Sequence, residues 1–284
     1  MKRYSRLFKK LQYLSLLSAL IFSVSSQPEH AHALEPVTFA TDWKAQAEQG
    51  GFYQAKALGL YEKAGLNVVI RGGGPGINIP QLLGAQAIDF AMGSNSFILL
   101  NMAQAGVPAR AVMAAFQKDP HFLITHDRDD IKSISDMKDK PIMIADASIN
   151  AFWVWMRARY GFSDKQIRKY TFNLAPFIVD KNAIQQGYAT SEPFTISKNG
   201  VTPKVFLLSD EGYPSYAAMV IAQNKLIEEK PEIVQAFVTA SIEGWRSYLM
   251  DDPTPGNQLI LSSNQDMTQD ILDHAITQLR DRGV

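Results

Sequence analysis

The sequence predicts an α/β protein of two similar lobes that enclose a cleft. Short apolar strands alternate with helical stretches, which implies right-handed crossovers and mainly parallel sheets. The alternation starts near residue 37 and starts afresh near residue 133. We expect the chain to pass between the lobes near 126–133 and again near 210–218. With 284 residues, 46% of them apolar, it is long enough for two modest lobes or one large domain.

The first 33 residues are typical of a cleavable secretory signal. Five basic residues precede an apolar run from Leu11 to Val24, and a small-x-small site follows at Ala31-His32-Ala33. The run is shorter than the roughly twenty residues that a membrane-spanning helix needs, although an uncleaved anchor is the alternative. We expect residues 1–33 to be removed, the mature chain to begin at Leu34, and the protein to be periplasmic.

Charge and cysteine content exclude several kinds of partner and chemistry. The chain has 28 basic and 28 acidic residues, and removing the five leader cations and Glu29 leaves 23 and 27, a net charge of −4. We therefore expect no binding to nucleic acid or to an anionic membrane surface. Because the chain has no cysteine, it can form no disulfide, thiolate metal site or cysteine nucleophile.

The first unit is predicted to be a β-α-β-α-β series followed by two further strands. Its predicted strands are 37–41, 66–70, 88–92, 109–116 and 121–125, and its predicted helices are 50–64, 78–85 and 95–105. Phe52, Ala55 and Leu58 recur at helical spacing, and Gly65 marks the end of that helix. Glycine turns at Gly50-Gly51 and Gly72–Gly74 are expected at strand ends, where open α/β sheets bind ligands.

A second unit begins with a capped helical turn at 133–141. Its predicted strands are 142–145, 170–173, 205–208 and 217–222, and its predicted helices are 149–159, a helix that holds Ile167, 180–186 and 231–250. The turn at 187–192 is expected to return to the cleft. We assign residues 34–128 and 213–284 to the first lobe, with the C-terminal helices, and residues 129–212 to the second.

Several short motifs occur in a fixed order along the chain. They are Thr41-Asp42-Trp43, Gly50-Gly51-Phe52-Tyr53, Gly59-Leu60-Tyr61, Ala64-Gly65-Leu66, Gly73-Gly74-Pro75, Asp89-Phe90 with Gly93, and Ser135-Asp136-Met137-Lys138. Their order and spacing resemble the periplasmic substrate-binding proteins of ABC importers. More narrowly, they resemble the nitrate/sulfonate/taurine group and its thiamine-precursor (pyrimidine) branch, which shares a domain with eukaryotic thiamine pyrimidine synthase.

The resemblance covers residues 36–250 and implies both a fold and a function. The implied fold is the two-lobed periplasmic-binding-protein type II, or Venus-flytrap, architecture. The implied protein is a monomer that binds a small-molecule solute in the cleft and delivers it to an ABC permease and its ATPase. The resemblance implies no cofactor, no catalytic residue and no metal site.

Two departures from the branch bear on its chemistry. Gln49 stands where the branch tends to carry His before Gly-Gly, so that hydrogen bond is not expected here. The cysteine-rich motif of the synthase is missing, which favours a binder over an enzyme. Three alternatives stay open: a binder of nitrate, taurine or alkylsulfonate, an enzyme that makes the thiamine pyrimidine, and a ligand-free sensor.

Eleven residues are candidates for ligand contact, because they lie at predicted strand ends, at helix starts or in a turn without core spacing. They are Asp42, Trp43, Tyr53, Gly74, Asn78, Ser94, Asn95, Asp146, Ser148, Tyr188 and Glu192. Helix capping would explain Asn78, Ser94 and Ser148 equally well. Core packing would explain Trp43.

No catalytic or metal-binding motif stands out. Ser135 and Lys138 match the serine–lysine pattern of penicillin-binding enzymes, but the partner motifs are missing and the segment favours a helix cap. The mature histidines, His121, His126 and His274, are too far apart in sequence for a local metal motif. We expect His126 to lie on the surface.

Asp42 and Glu192 indicate the charge of the solute. If both carboxylates face the cleft, like charge in a low-dielectric site disfavours nitrate, sulfonate or sulfate. The same pair favours an amine, an amidine or a ring with N–H donors. Trp43, Tyr53 and Tyr188 add flat faces on which a ring can stack. A thiamine-precursor aminopyrimidine has both properties.

Overall fold

The computed structural model describes residues 33–282 of the chain. The predicted signal peptide therefore lies outside the described residues, apart from Ala33. No helix within the described range is long and apolar enough to cross a membrane. This range forms two five-stranded sheets covered by helices, so the predicted α/β class is confirmed.

Ten strands of the described range build the two sheets. They are β1 (Glu35–Ala40), β2 (Leu66–Arg71), β3 (Phe90–Gly93), β4 (Ala109–Phe116), β5 (His121–His126), β6 (Ile142–Ile144), β7 (Ile167–Lys169), β8 (Ile184–Tyr188), β9 (Pro203–Leu207) and β10 (Ala217–Gln223). The first sheet has the order β2-β1-β3-β10-β4, and the second has the order β7-β6-β8-β5-β9. We call the parts built on the first and second sheets lobe I and lobe II.

Both sheets are mixed, although the sequence predicts mainly parallel sheets. In lobe I, β1 pairs in parallel with β2 and β3, whereas β10 runs antiparallel to β3 and β4. In lobe II, β6 pairs in parallel with β7 and β8, whereas β5 runs antiparallel to β8 and β9. Strands β5 and β10 each enter a sheet directly from the other lobe. They need no crossover helix within the lobe, which parallel pairing would require.

The strand pairing also sets where the chain passes between the lobes. The sequence analysis assigns residues up to 128 to the first lobe, but β5 pairs with β8 and β9 in lobe II. The first crossing is therefore segment 117–120, between β4 and β5. The second crossing is segment 208–216, between β9 and β10.

Helices cover both sheets. The α-helices of the described range are α1 (Gly50–Ala57), α2 (Leu60–Lys63), α3 (Ile79–Gly84), α4 (Ser96–Gln104), α5 (Asp146–Ile149), α6 (Phe152–Tyr160), α7 (Ala175–Val179), α8 (Glu192–Lys198), α9 (Asn224–Glu229), α10 (Pro231–Met250), α11 (Thr254–Ser263) and α12 (Gln269–Arg282). Short 3₁₀ helices occur at Ala47–Gln49, Ile134–Met137 and Asp164–Gln166. The longest helix, α10, has the bounds that the sequence predicts.

Three predicted elements of lobe II are wrong. They are the helix that holds Ile167, the strand at 170–173 and the helix at 180–186; strands β7 and β8 lie there instead. The pattern of β8 is hidden by Gln185 and Gln186, which are 0% and 5% exposed. The side-chain oxygen of Gln186 accepts a hydrogen bond of 2.7 Å from the backbone N–H of Ala145. A buried amide is tolerated when it is hydrogen-bonded, so a buried strand can contain polar residues. The sequence of β8 therefore lacks the apolar run by which a buried strand is recognised.

Lobe I is packed around Phe237 in the middle of α10. Its ring stacks on Phe90 with 4.2 Å between centroids and on Tyr61 with 5.3 Å. It also meets Phe39 edge-on at 5.2 Å. All four rings are fully buried, and burial of one such side chain contributes about 1.5–3 kcal/mol. Helix α10 is thereby fixed on strands β1 and β3.

Gly51 and Gly244 allow helices α1 and α10 to lie in direct contact. A Cβ atom on Gly244 would lie 2.2 Å from the carbonyl oxygen of Gly51, and one on Gly51 would lie 2.2 Å from the ring of Trp245. The sequence analysis expects Gly50-Gly51 to be a ligand-binding turn. That expectation is wrong, because both residues form the first turn of α1 and pack on α10. Close helix packing and close ligand approach both require glycine, so the sequence pattern does not distinguish the two roles.

Replacing Gly244 by Ala should destabilise the protein by about 1–3 kcal/mol, because the added methyl group meets backbone atoms of α1. The matched control is Gly84→Ala at the exposed end of α3, where no atom lies within 4 Å of the added methyl group. That control should be neutral or stabilising by up to about 1 kcal/mol. Urea denaturation measures both variants. A Gly244→Ala protein as stable as the wild type would contradict the close contact.

Candidate functional site

A group of titratable side chains gathers around Tyr188 where the two lobes meet. Burial raises the pKa of the Tyr188 hydroxyl well above its ordinary value, and four nearby carboxylates raise it further. We define the interlobe cluster as these carboxylates with Tyr188 and the adjacent histidine: Asp42, Glu48, Asp119, His121, Tyr188 and Glu192. Three of these residues, Asp42, Tyr188 and Glu192, are candidates that the sequence analysis names.

Asp42 follows strand β1 and is partly buried. Burial raises the pKa of its carboxyl group from 3.8 to about 6. The hydroxyl and the backbone N–H of Ser94, after strand β3, donate hydrogen bonds to the carboxylate and oppose this rise, as does the charge of His121. The structure therefore brings the predicted residues Asp42 and Ser94 together at the carboxyl ends of two adjacent strands.

Glu192 is the first residue of helix α8 in lobe II, and three donors hold its carboxylate. Oε2 accepts hydrogen bonds from the backbone N–H of Tyr188 at 2.9 Å and from the Ser191 hydroxyl at 2.6 Å. Oε1 accepts one from the Tyr170 hydroxyl at 3.4 Å. These bonds orient the carboxylate, and its charge acts on groups of both lobes, including Glu48 and His121.

Glu48 connects lobe I to lobe II. It lies in the first 3₁₀ helix, is 5% exposed, and accepts a hydrogen bond from the hydroxyl of Thr190 in lobe II. Burial raises the pKa of Glu48, Thr190 opposes the rise, and the charge of Glu192 adds to it. The sequence analysis does not name Glu48 as a site residue. Its signal is an isolated acid two residues before Gly50, in a segment that is buried.

Asp119 and His121 form a buried pair at the first crossing between the lobes. Nδ1 of His121 lies 2.5 Å from Oδ1 of Asp119, and the same oxygen accepts the backbone N–H of His121 at 2.9 Å. The His121 ring packs edge-on against Tyr188 with 4.9 Å between centroids. The sequence analysis places His121 at a strand start but not in the site, because its aromatic contacts come from β8 and α6, which are distant in the sequence.

Aromatic rings also meet across the lobe boundary. The Trp43 ring of lobe I lies 4.4 Å from that of Phe172 in lobe II, and Phe172 contacts Tyr170 at 5.0 Å. Phe172 has a φ of 61°, in the left-handed region that is unfavourable for a bulky side chain. It is 39% exposed, so burial alone does not account for this conformation. The sequence analysis names Trp43 but not Phe172.

Several other predicted residues have roles outside the interlobe cluster. Asn78 and Asn95 cap helices α3 and α4 by accepting the backbone N–H groups of Gln81 and Phe97, each at 3.0 Å. Asp146 is 72% exposed and forms an ion pair of 2.9 Å with Lys169. Ser148 is buried in α5. Gly74 has open space around its Cα. Ligand contact by Gly74 and Ser148 stays a prediction.

Tyr53 is placed in the core of lobe I rather than beside Tyr188. It is 4% exposed, and its hydroxyl forms a hydrogen bond with Ser263. It lines a cavity of about 470 Å³ whose walls are all from lobe I, with Lys44 and Asp266 joined by an ion pair of 2.6 Å. Tyr53 begins α1 as predicted, but its side chain turns towards α11. Within residues 33–282, no three acidic or histidine side chains are arranged to hold a metal ion.

Replacing Asp42 by Asn should stabilise the protein at pH 8. Because its pKa is raised to about 6, the folded state binds this proton more tightly than the unfolded state does. The corresponding stability is present below about pH 4 and is lost as the pH rises through about 6. A shift of this size corresponds to at most about 3 kcal/mol. Urea denaturation should show a gain up to that size at pH 8 and none below pH 4, and a loss at pH 8 would contradict burial as the main cause.

Comparison with known proteins identifies relatives that cover most of the chain. The family model described as NMT1/THI5 like matches residues 46–255. The riboflavin-binding protein RibY of Chloroflexus aurantiacus is 26% identical over 224 residues, which cover 76% of this chain and 63% of RibY. The formylaminopyrimidine-binding protein of Halalkalibacterium halodurans is 24% identical over 267 residues, which cover 91% and 80%. The chain thus spans less than two thirds of the length of RibY.

Solved structures share the fold at low sequence identity. The periplasmic aliphatic sulphonate-binding protein SsuA of Escherichia coli matches with a TM-score of 0.65 and 14% identity, over 86% of this chain and 83% of SsuA. The alkanesulfonate-binding protein SsuA of Xanthomonas axonopodis matches with a TM-score of 0.63 and 12% identity, over 85% and 83%. These matches confirm the two-lobed fold of periplasmic binding proteins. Since the family match covers well over half of the chain, the protein belongs to the NMT1/THI5-like family.

Proposed function

We propose that this protein is the solute-binding component of an ABC importer, and that it binds a small, flat, amine-bearing solute such as a thiamine-precursor aminopyrimidine between its lobes. The observation that carries the proposal is the convergence of Asp42, Glu48 and Glu192 at the lobe boundary. Three carboxylates in a partly dry site repel an anion and attract a cation or a ring rich in N–H donors.

The carboxylates of the interlobe cluster offer hydrogen-bond acceptor positions to such a solute. Asp42 receives hydrogen bonds from Ser94 and from its own backbone N–H, whereas an ionised carboxylate offers about four acceptor positions. Glu192 is oriented by its own hydrogen bonds, so it needs little reorganisation to accept one from a ligand. Trp43 and Phe172 supply aromatic faces at the same boundary. An aminopyrimidine combines an exocyclic amine with a flat ring.

The names of the relatives support a nitrogen heterocycle. One relative is named for formylaminopyrimidine and the other for riboflavin. Riboflavin is the second candidate, since it is also flat, but it carries no amine that would match the carboxylates. The sulfonate-binding structures are similar in fold alone, and the interlobe cluster disfavours a sulfonate.

Closure of the lobes around the solute is the proposed mechanism. The contacts between the lobes include the Glu48–Thr190 hydrogen bond, a bond of 3.0 Å from the Asn101 amide to the carbonyl of Asn150, and an ion pair between Lys198 and Asp270. A solute that touches carboxylates of both lobes binds the closed form better than the open form, and so shifts the equilibrium towards closure.

The partners and location follow from the same proposal. The closed protein would deliver its solute to a permease and its ATPase, acting as a monomeric binder rather than as an enzyme. The leader at residues 1–33 would direct the chain to the periplasm. A synthase-like enzyme is the alternative, and turnover of a substrate by the purified protein would favour it.

Glu192→Gln should weaken the binding of 4-amino-5-hydroxymethyl-2-methylpyrimidine by about 10–100-fold, because a charge-assisted hydrogen bond is replaced by a neutral one. Isothermal titration calorimetry measures the affinity. The control is Asp129→Asn, an exposed acid of lobe II that pairs with Lys132, which should bind as the wild type does. Unchanged affinity in Glu192→Gln would remove this residue from the site. Tight binding of taurine or nitrate, with no response to aminopyrimidines, would remove the proposed solute.

Thr190→Val should favour the open form, because Val keeps the shape of Thr but leaves the buried Glu48 carboxylate without its donor. We expect a larger radius of gyration in small-angle X-ray scattering of the solute-free protein, and an affinity lowered by about 5–30-fold. Thr195→Val in α8 is the control, since the Thr195 hydroxyl bonds only within lobe II. Equal radii for both variants would show that the bond between Glu48 and Thr190 does not hold the lobes together.

A further inference from the structure

The Asp119–His121 pair is unusual because it buries charge in the segment that joins the lobes. Asp119 is 0% exposed and His121 is 8% exposed. Oδ1 of Asp119 is occupied by His121, whereas its Oδ2 has no hydrogen-bond partner in the described chain. Helix capping and core packing do not require a carboxylate and an imidazole at this place. The pair therefore needs an explanation in terms of the site beside it.

The charged groups that act on His121 are acidic. Asp119 lies on its own segment, Asp42 follows β1, and Glu192 begins α8. The remaining neighbours are aromatic, with Tyr188 of β8 at 4.9 Å and Phe152 of α6 at 5.4 Å between ring centroids. His121, when it is protonated, brings positive charge to Asp42 and opposes the rise of its pKa.

We propose that His121, held by Asp119, is the residue through which the cleft discriminates solutes by charge. A solute that brings positive charge to Asp42 and Glu192 competes with the imidazolium for the same carboxylates and favours loss of the His121 proton. An anionic solute favours its retention. This inference rests on the proposed function only in that the solute binds at these carboxylates.

The electrostatics of the ligand-free protein agree with this role. Burial by itself lowers the pKa of His121, but Asp119, Glu192 and Asp42 together raise it above its ordinary value. His121 therefore keeps its proton to a higher pH than a free imidazole does. Partial neutralisation of Asp42 and Glu192 by a bound cation removes part of that rise. By thermodynamic linkage, loss of the proton strengthens cation binding by the same factor.

The affinity of a His121→Gln variant tests the sign of this effect. At low pH the wild type carries an imidazolium that opposes a cation, whereas the variant does not. His121→Gln should then bind 4-amino-5-hydroxymethyl-2-methylpyrimidine more tightly than the wild type, by about tenfold for each pKa unit of coupling. At pH 8 and above the two affinities should converge. If the variant binds more weakly at every pH, His121 is a direct ligand contact and the proposal is wrong.

The NMR resonance of His121 distinguishes charge coupling to the solute from a merely structural role, because only the coupling changes its titration. In proton NMR, its titration should shift to lower pH when the protein is saturated with the aminopyrimidine. Asp119→Asn should shift it to lower pH already in the ligand-free protein. His126 lies on the same strand, and its Nε2 lies 2.7 Å from the carbonyl oxygen of Phe177. Its resonance should stay in place and serves as the internal control.

Ligand binding and the His121 titration together distinguish a wrong solute from a wrong inference about His121. If taurine binds and the aminopyrimidine does not, the proposed solute is wrong, and charge discrimination then requires the His121 titration to move to higher pH. A titration that no bound solute moves would overturn the inference. An Asp119→Asn variant with an unchanged His121 titration in the ligand-free protein would overturn it as well.

Discussion

The carboxylates of the interlobe cluster share the boundary between the two lobes with the imidazole of His121, and the rest of the site depends on this arrangement. Like charges in a low-dielectric region repel, so each acid must be met by donors or lose its charge. Here the donors are mostly neutral: Ser94 for Asp42, Thr190 for Glu48, and Ser191 with a backbone N–H for Glu192. Neutral donors orient the acids without cancelling their charge, which leaves that charge available to a solute.

The two lobes hold their acids in different ways. In lobe I, Phe237 and the glycine contact between α1 and α10 make a rigid support close to Glu48. In lobe II, Glu192 depends on its own hydrogen bonds at the start of the seven-residue helix α8. In the proposed mechanism, a change in the angle between the lobes brings these acids together, so recognition and closure are one event.

Much of the fold could be predicted from the sequence, because strand β4 and helix α10 carry clear apolar patterns. Strand β8 could not, since Gln185 and Gln186 are buried polar residues, and the hydrogen bond of Gln186 comes from Ala145, which lies 41 residues away in the sequence. The same limit applies to the site. Asp42 and Glu192 stand at element ends that local patterns reveal. Glu48 meets Thr190 only where lobe II meets lobe I, and His121 meets Tyr188 only because β5 pairs with β8.

The position of β10 has a consequence for the order in which the molecule can form. This strand lies between β3 and β4 in the sheet, yet it is synthesised about a hundred residues after β4. Lobe I therefore cannot complete its sheet while the ribosome is still making lobe II, whose five strands are continuous in the chain. A chain that stays incomplete until its last third has been made remains unfolded for longer during synthesis. That delay is compatible with the export that is proposed for this chain.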